Sequence, residues 1–142
     1  MKRILYITII ALAAFVGCKK DNPAPTLSQM LQTQWRANNT STEVAIYINF
    51  LSDNTFELYQ KLDTEVFELR RGKWTLNGDI LSGEYNDGQP WAASYKISIV
   101  ESTSTLTMVS QNEGGEINIY NECVIPEVIK ETCTVVVKSG TL

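Results

Sequence analysis

Along most of the chain apolar and polar residues alternate with a period of two, which on a pleated strand sends one set to each face. Val44, Ile46, Ile48 and Phe50 share a face, with Tyr47 and Asn49 opposite. Ser52-Asp53-Asn54 makes a tight turn, after which Phe56 and Leu58 alternate with Glu57 and Tyr59. Leu62-Asp63-Thr64 turns again into a long segment, residues 65–76, in which Phe67 and Leu69 give way to Trp74 and Leu76. That change of parity around Gly72 predicts a bulge, because glycine inside a strand often marks one. Asn77-Gly78 is the strongest hairpin signal, since a type I′ turn needs positive φ at both central positions. Leu81, Gly83 and Tyr85 follow on one face, then the longer loop Asn86-Asp87-Gly88-Gln89-Pro90-Trp91. Tyr95, Ile97 and Ile99 alternate with Lys96 and Ser98, and Leu106 and Met108 with Thr105 and Thr107. Ile117 and Ile119 alternate with Asn118 and Tyr120.

With a first strand at Trp35, the pattern gives eight short strands joined mostly by hairpin-length turns. Pro126 ends the eighth, residues 127–131 suit one helical turn, and residues 133–138 read as a last strand. No long helical period separates the strands, which excludes a parallel α/β sheet. Sequential hairpins with one apolar face close most simply into a small all-β, antiparallel up-and-down barrel, which leaves no exposed edge. A two-sheet β-sandwich is the alternative. Ahead of the strands, residues 19–27 hold two prolines and mostly polar neighbours, the composition of an extended tether. Thr26 or Ser28 can cap a short helix running to about Gln34.

Three stretches together resemble the lipocalin-like lipoproteins of the Bacteroidetes: Trp35 on the first strand, the polar turn from Phe50 to Phe56, and Trp74-Thr75-Leu76-Asn77-Gly78-Asp79-Ile80-Leu81-Ser82-Gly83. Asp87-Gly88-Gln89-Pro90-Trp91-Ala92-Ala93-Ser94-Tyr95 matches the following loop in some members. The resemblance spans residues 35–126 and implies a calyx-like barrel on a periplasmic or surface lipoprotein. Its motifs are turn and core patterns, so they speak to fold more than to activity. The Cys123/Cys133 pair and the tail after Val135 lie outside that pattern.

The start of the chain agrees. Lys2 and Arg3 precede an apolar run from Ile4 to Val16, broken only by Thr8 and ending in Gly17-Cys18. A basic start, a short apolar segment and a small residue before the cut describe a secretory signal, since a membrane span needs about 20 apolar residues. Phe15-Val16-Gly17-Cys18 resembles the bacterial lipobox in its last two positions. That resemblance implies diacylglycerol on the Cys18 sulfur and cleavage before it, with the membrane as partner through the lipid anchor. Lys19 after the cysteine fits an outer-membrane lipoprotein. The chain then divides into a signal peptide over 1–17, a lipidated cysteine with tether and short helix over 18–33, and a lipocalin-like β domain over 34–142.

Cleavage removes Lys2 and Arg3 from 12 basic residues and leaves 10 against 16 acidic ones, a net charge of −6. Nucleic acid, which requires clustered Lys and Arg, is not an expected partner. The remaining cysteines, Cys123 and Cys133, form an even pair in an oxidising compartment and are expected to bridge. No histidine occurs, which removes Ser-His-Asp and Cys-His catalysis and His-ligated zinc. No phosphate loop or EF-hand spacing is present, so no cofactor, metal site or catalytic residue is assigned. The carboxylates Asp53, Glu57, Asp63, Glu65 and Glu68 lie in turns or on outward faces, where solvated charge is the simplest reading.

Aromatic residues are the more informative set. Trp35 and Trp74 sit within strand patterns and suit a packed barrel floor. Trp91 follows Pro90 in a polar loop where no periodicity calls for an aromatic. It therefore has two readings: a lid on the core, or, with Tyr95, Asp87 and Gln89, a site for a small apolar or glycan ligand at one end of the barrel. The leading expectation is a non-enzymatic binding lipoprotein. A structural or protein-interaction subunit of an envelope complex, with a filled core, is the alternative.

Overall fold

The computed structural model describes residues 22–38 and 44–138. A short helix, α1 (Leu27–Leu31), precedes β1 (Gln34–Ala37), β2 (Val44–Phe50), β3 (Thr55–Leu62), β4 (Glu68–Asn77), β5 (Ile80–Tyr85), β6 (Tyr95–Val100), β7 (Thr105–Ser110) and β8 (Ile117–Glu122). A second helix, α2 (Glu127–Thr132), and a two-residue strand, β9 (Thr134–Val135), complete the order. Each of β1 to β8 pairs antiparallel with its neighbour in sequence. β1 also pairs with β8, setting Trp35 opposite Glu122 and Ala37 opposite Tyr120. That last ladder closes an eight-stranded up-and-down barrel and rules out the sandwich.

The interior follows the predicted alternation over most of the barrel. Ile48, Phe50, Phe56, Leu58, Leu81, Ile97, Leu106 and Met108 are all buried in one core. α1 closes one end. Its N-cap Thr26 accepts from the Gln29 amide while the Gln29 side chain accepts from the Thr26 amide, which satisfies two otherwise orphaned donors. Leu31 is fully buried, and its carbonyl accepts the indole N–H of Trp35 at 3.0 Å. Trp74 sits nearby, edge-on to Phe50 at 5.9 Å, with its indole N–H 3.3 Å from the Leu51 carbonyl. Both tryptophans are floor aromatics with satisfied polar ends.

In three places the expected pattern changes. β4 carries no bulge: its register with β3 and with β5 is unbroken through Gly72. Gly72, Trp74 and Leu76 face inward throughout, and Leu69 faces outward. The apparent switch of parity arises because this outer face is covered. Ala45, Tyr47, Tyr59 and Leu69 form a second core outside the barrel with Ile125 and Ile129 of the C-terminal segment. β9 runs parallel to β4 at Glu68 and Leu69, beyond the point where β5 ends, and holds that segment in place.

The second change is at the β4–β5 turn. Asn77 pairs with Ile80, so the central residues are Gly78 and Asp79, and only Gly78 has positive φ, at 63°. One positive φ at the first central position is the signature of type II′ rather than I′. The third is at β8, where Tyr120 and Asn118 stand opposite Leu106 and Met108 and face in. Ile117 and Ile119 are left outside, 64% and 41% exposed.

Cys123 and Cys133, expected to bridge, stand as free thiols in this structure. Both pack half-buried against the second core, and the Cys133 thiol donates to the Lys130 carbonyl at 3.3 Å as α2 ends. The thiols serve as small apolar side chains, a common role for buried cysteine. Cys18 and the signal segment lie outside the described residues. No helix among the described residues is long and apolar enough to cross a membrane.

Candidate functional site

β5 and β6 stay paired only at Ile80–Lys96 and Leu81–Tyr95, then separate. The loop between them fills the gap by folding back along β5. The Tyr85 amide donates to the Gln89 carbonyl at 2.8 Å, and the Trp91 amide donates to the Gly83 carbonyl at 2.9 Å. Pro90, with no N–H to leave unpaired, bridges to Glu84. Trp91 thus enters the barrel wall where a strand would otherwise have supplied an inward side chain. Its ring lies 5.2 Å from Phe56 and 6.3 Å from Tyr95, both edge-on, and it is 5% exposed. Gly83 makes room, because a Cβ there would sit 2.4 Å from the indole.

Of the four residues suggested as a ligand site, the structure therefore brings Trp91 and Tyr95 together inside the barrel. Asp87 and Gln89 stay on the exposed outer turn, where the Asp87 carboxylate accepts from the Gln89 amide at 3.1 Å. The lid reading of Trp91 is the one its burial fits. Tyr95 faces a different feature.

At the end opposite α1, a cavity of about 130 Å³ is lined by Ile46, Leu58, Gln60, Tyr95, Glu116, Asn118 and Tyr120. Gln60 is the one buried polar residue among those described, at 4% exposure. It takes the inward parity of Phe56 and Leu58 on β3, which the sequence pattern offered but which a polar residue at the end of a strand does not advertise. Asn118 and Tyr120 arrive here through the inward face of β8. Burial holds the Tyr120 phenol well above its ordinary range, and the neighbouring Tyr95 and Tyr85 phenols raise it further. Burial also raises Tyr95, with the Glu116 carboxylate adding to the effect. The phenols are thus neutral at physiological pH and can donate or accept.

Tyr59, on the outer face, is pushed up to about 12 by burial, by the Glu57 charge and by its hydrogen bond to Glu57 at 3.2 Å. A raised phenol pKa favours the neutral form in the fold. The associated stability is present below the unfolded value of about 10 and is lost as pH rises through the folded value. Absorbance titration at 295 nm should show Tyr59 and Tyr120 ionising only together with alkaline unfolding, later than the exposed-phenol range. Their ionisation near pH 10 with the fold intact would contradict the described burial.

Among the described residues no three His, Cys, Asp or Glu side chains converge in a manner suited to a metal. Among the described residues the mouth holds one carboxylate, two amides, two phenols and two aliphatic side chains, an arrangement suited to gripping a small molecule. Against family models, curated proteins and solved structures, the chain finds no match.

Proposed function

We propose that this protein is an outer-membrane lipoprotein, anchored through Cys18, whose barrel binds a small ligand at its open end without transforming it. The observation that supports binding is the mixed polar and aromatic cavity at the end of the barrel that α1 leaves open. Sites of this kind take orientation from a few placed polar groups and affinity from apolar walls. The anchor is supported by the apolar run ending in Gly17-Cys18.

Two measurements test the reading. A palmitate analogue fed to cells should label the wild type and not Cys18→Ser; equal labelling would end the anchor proposal. For binding, a panel of small apolar, glycan and amine compounds should include one that shifts tyrosine fluorescence, and Ile46→Trp, which fills the cavity, should abolish the shift. Silence across the panel, or a shift that survives Ile46→Trp, would count against the site.

An interaction role is the second reading, and one observation favours it. Below the mouth the interior is filled by side chains, while Ile117 and Ile119 stand exposed on the outer face of β8. Val109 lies opposite Ile117 on β7 and widens that apolar strip. Scattered apolar residues are ordinary on surfaces, but a contiguous strip marks a contact face.

A further inference from the structure

We propose that the ligand of the barrel mouth is a small organic cation, an ammonium head group held between the Tyr95 and Tyr120 rings with Glu116 as its counter-charge. This rests on the mouth being a binding site and adds the chemistry that would occupy it. Among the described residues Glu116 is the only carboxylate lining the cavity, and no basic side chain lines it. Among the described residues Glu116 forms no ion pair. The nearest inward charges on β4 cancel: Glu68 and Arg70 take the parity of Gln60 and Leu58 opposite them, and pair with each other at 2.7 Å. Among the described residues the mouth therefore presents one uncompensated negative charge beside two electron-rich rings.

Each class of ligand can be weighed against this set. An anion meets the Glu116 charge at close range, which opposes its entry. A purely apolar ligand would displace water from Glu116 and Asn118 and return no hydrogen bond, which is costly for each group. A neutral polyol satisfies the amides and leaves the carboxylate unused. A cation uses the phenol rings through their negative faces, Glu116 through its charge, and the amide oxygen of Asn118 through any N–H or hydroxyl the ligand carries. The volume, about 130 Å³, suits a head group of a few heavy atoms. Recognition of ammonium groups by aromatic side chains is a recurrent use of this chemistry.

The test compares two probes of equal shape and different charge. Choline and 3,3-dimethyl-1-butanol, its neutral carbon isostere, are titrated into the purified full-length protein in a maltoside detergent. Tyrosine fluorescence and backbone amide shifts serve as readouts. Choline should bind at least tenfold more tightly than the isostere, with the largest shifts at Tyr95, Asn118 and Tyr120. Glu116→Gln should weaken choline at least fivefold, leave the isostere unchanged and leave the melting temperature as it was, because the side chain is exposed. Equal affinity for the two probes, choline binding indifferent to Glu116→Gln, or no binding of choline would each overturn the proposal. If an apolar or glycan compound then binds in a manner blocked by Ile46→Trp, only the cation is wrong. If no compound binds, the binding reading falls with it.

Discussion

Replacing Trp91 with alanine should destabilise the barrel by about 3–5 kcal/mol, the range for truncating a buried tryptophan. The size follows from its position. Trp91 packs against Phe56 and Tyr95 at a place in the wall where β5 and β6 have parted, so its loss leaves a void with no adjacent strand able to close over it. Trp91→Phe should cost much less. The indole N–H is buried and without a hydrogen-bond partner among the described residues, so the smaller ring removes an unsatisfied donor along with volume. Urea unfolding of the two variants separates the explanations. Near-equal stability of Trp91→Ala and wild type would show that the loop carries the residue without packing it.

Gly72→Ala should also be severe, for a different reason. A Cβ at Gly72 would lie 2.0 Å from the Glu84 carbonyl oxygen and 2.8 Å from the Phe56 ring. The ring can turn, but the carbonyl belongs to the paired backbone of β5 and moves only if the ladder from Gly72–Tyr85 to Asn77–Ile80 moves with it. Overpacking a well-filled core typically costs about 1–3 kcal/mol, and a backbone obstacle places this substitution at the upper end. Gly78→Ala at the turn is the useful control. Nothing lies within 4 Å of a Cβ there, so its cost is the backbone strain of a positive φ alone. A Gly72→Ala protein with the melting temperature of wild type would mean that β4 and β5 are further apart than described.

The inward face of β2 was legible because Val44, Ile46, Ile48 and Phe50 obey one period without interruption. Closure was not. Consecutive hairpins have the same order in a barrel and in a sandwich, and only the β1–β8 ladder, which joins the two ends of the chain, distinguishes them. Alternation alone places Leu69 on the wrong face of β4, because it assumes that one face of a strand meets water. Here Ile125 and Ile129 cover the other face, and an apolar residue is stable on either side. At β8 the tyrosine, with the larger ring and a hydroxyl able to reach the mouth, goes inward in place of the isoleucines. The candidate site was hardest to see for a related reason. Gln60, Glu116 and Asn118 are ordinary polar residues near strand ends, and only closure of the barrel gathers them around Tyr95 and Tyr120.

If the proposed anchor at Cys18 holds, the short helix that plugs the barrel also bears on how the molecule would stand on a membrane. Pro25, just ahead of α1, lines a depression at the closed end with Ile99, Glu101 and Ser104, so the chain leaves the domain there and not at the mouth. Only the residues between Cys18 and Asn22 then separate Cys18, the proposed anchor, from the first described position, a span of at most about 14 Å even when fully extended. A lipid attached at Cys18 would hold the plugged end toward the bilayer and turn the open end to the aqueous side. The molecule would stand as a cup on a short stem, taking its contents from solution and not from among the acyl chains.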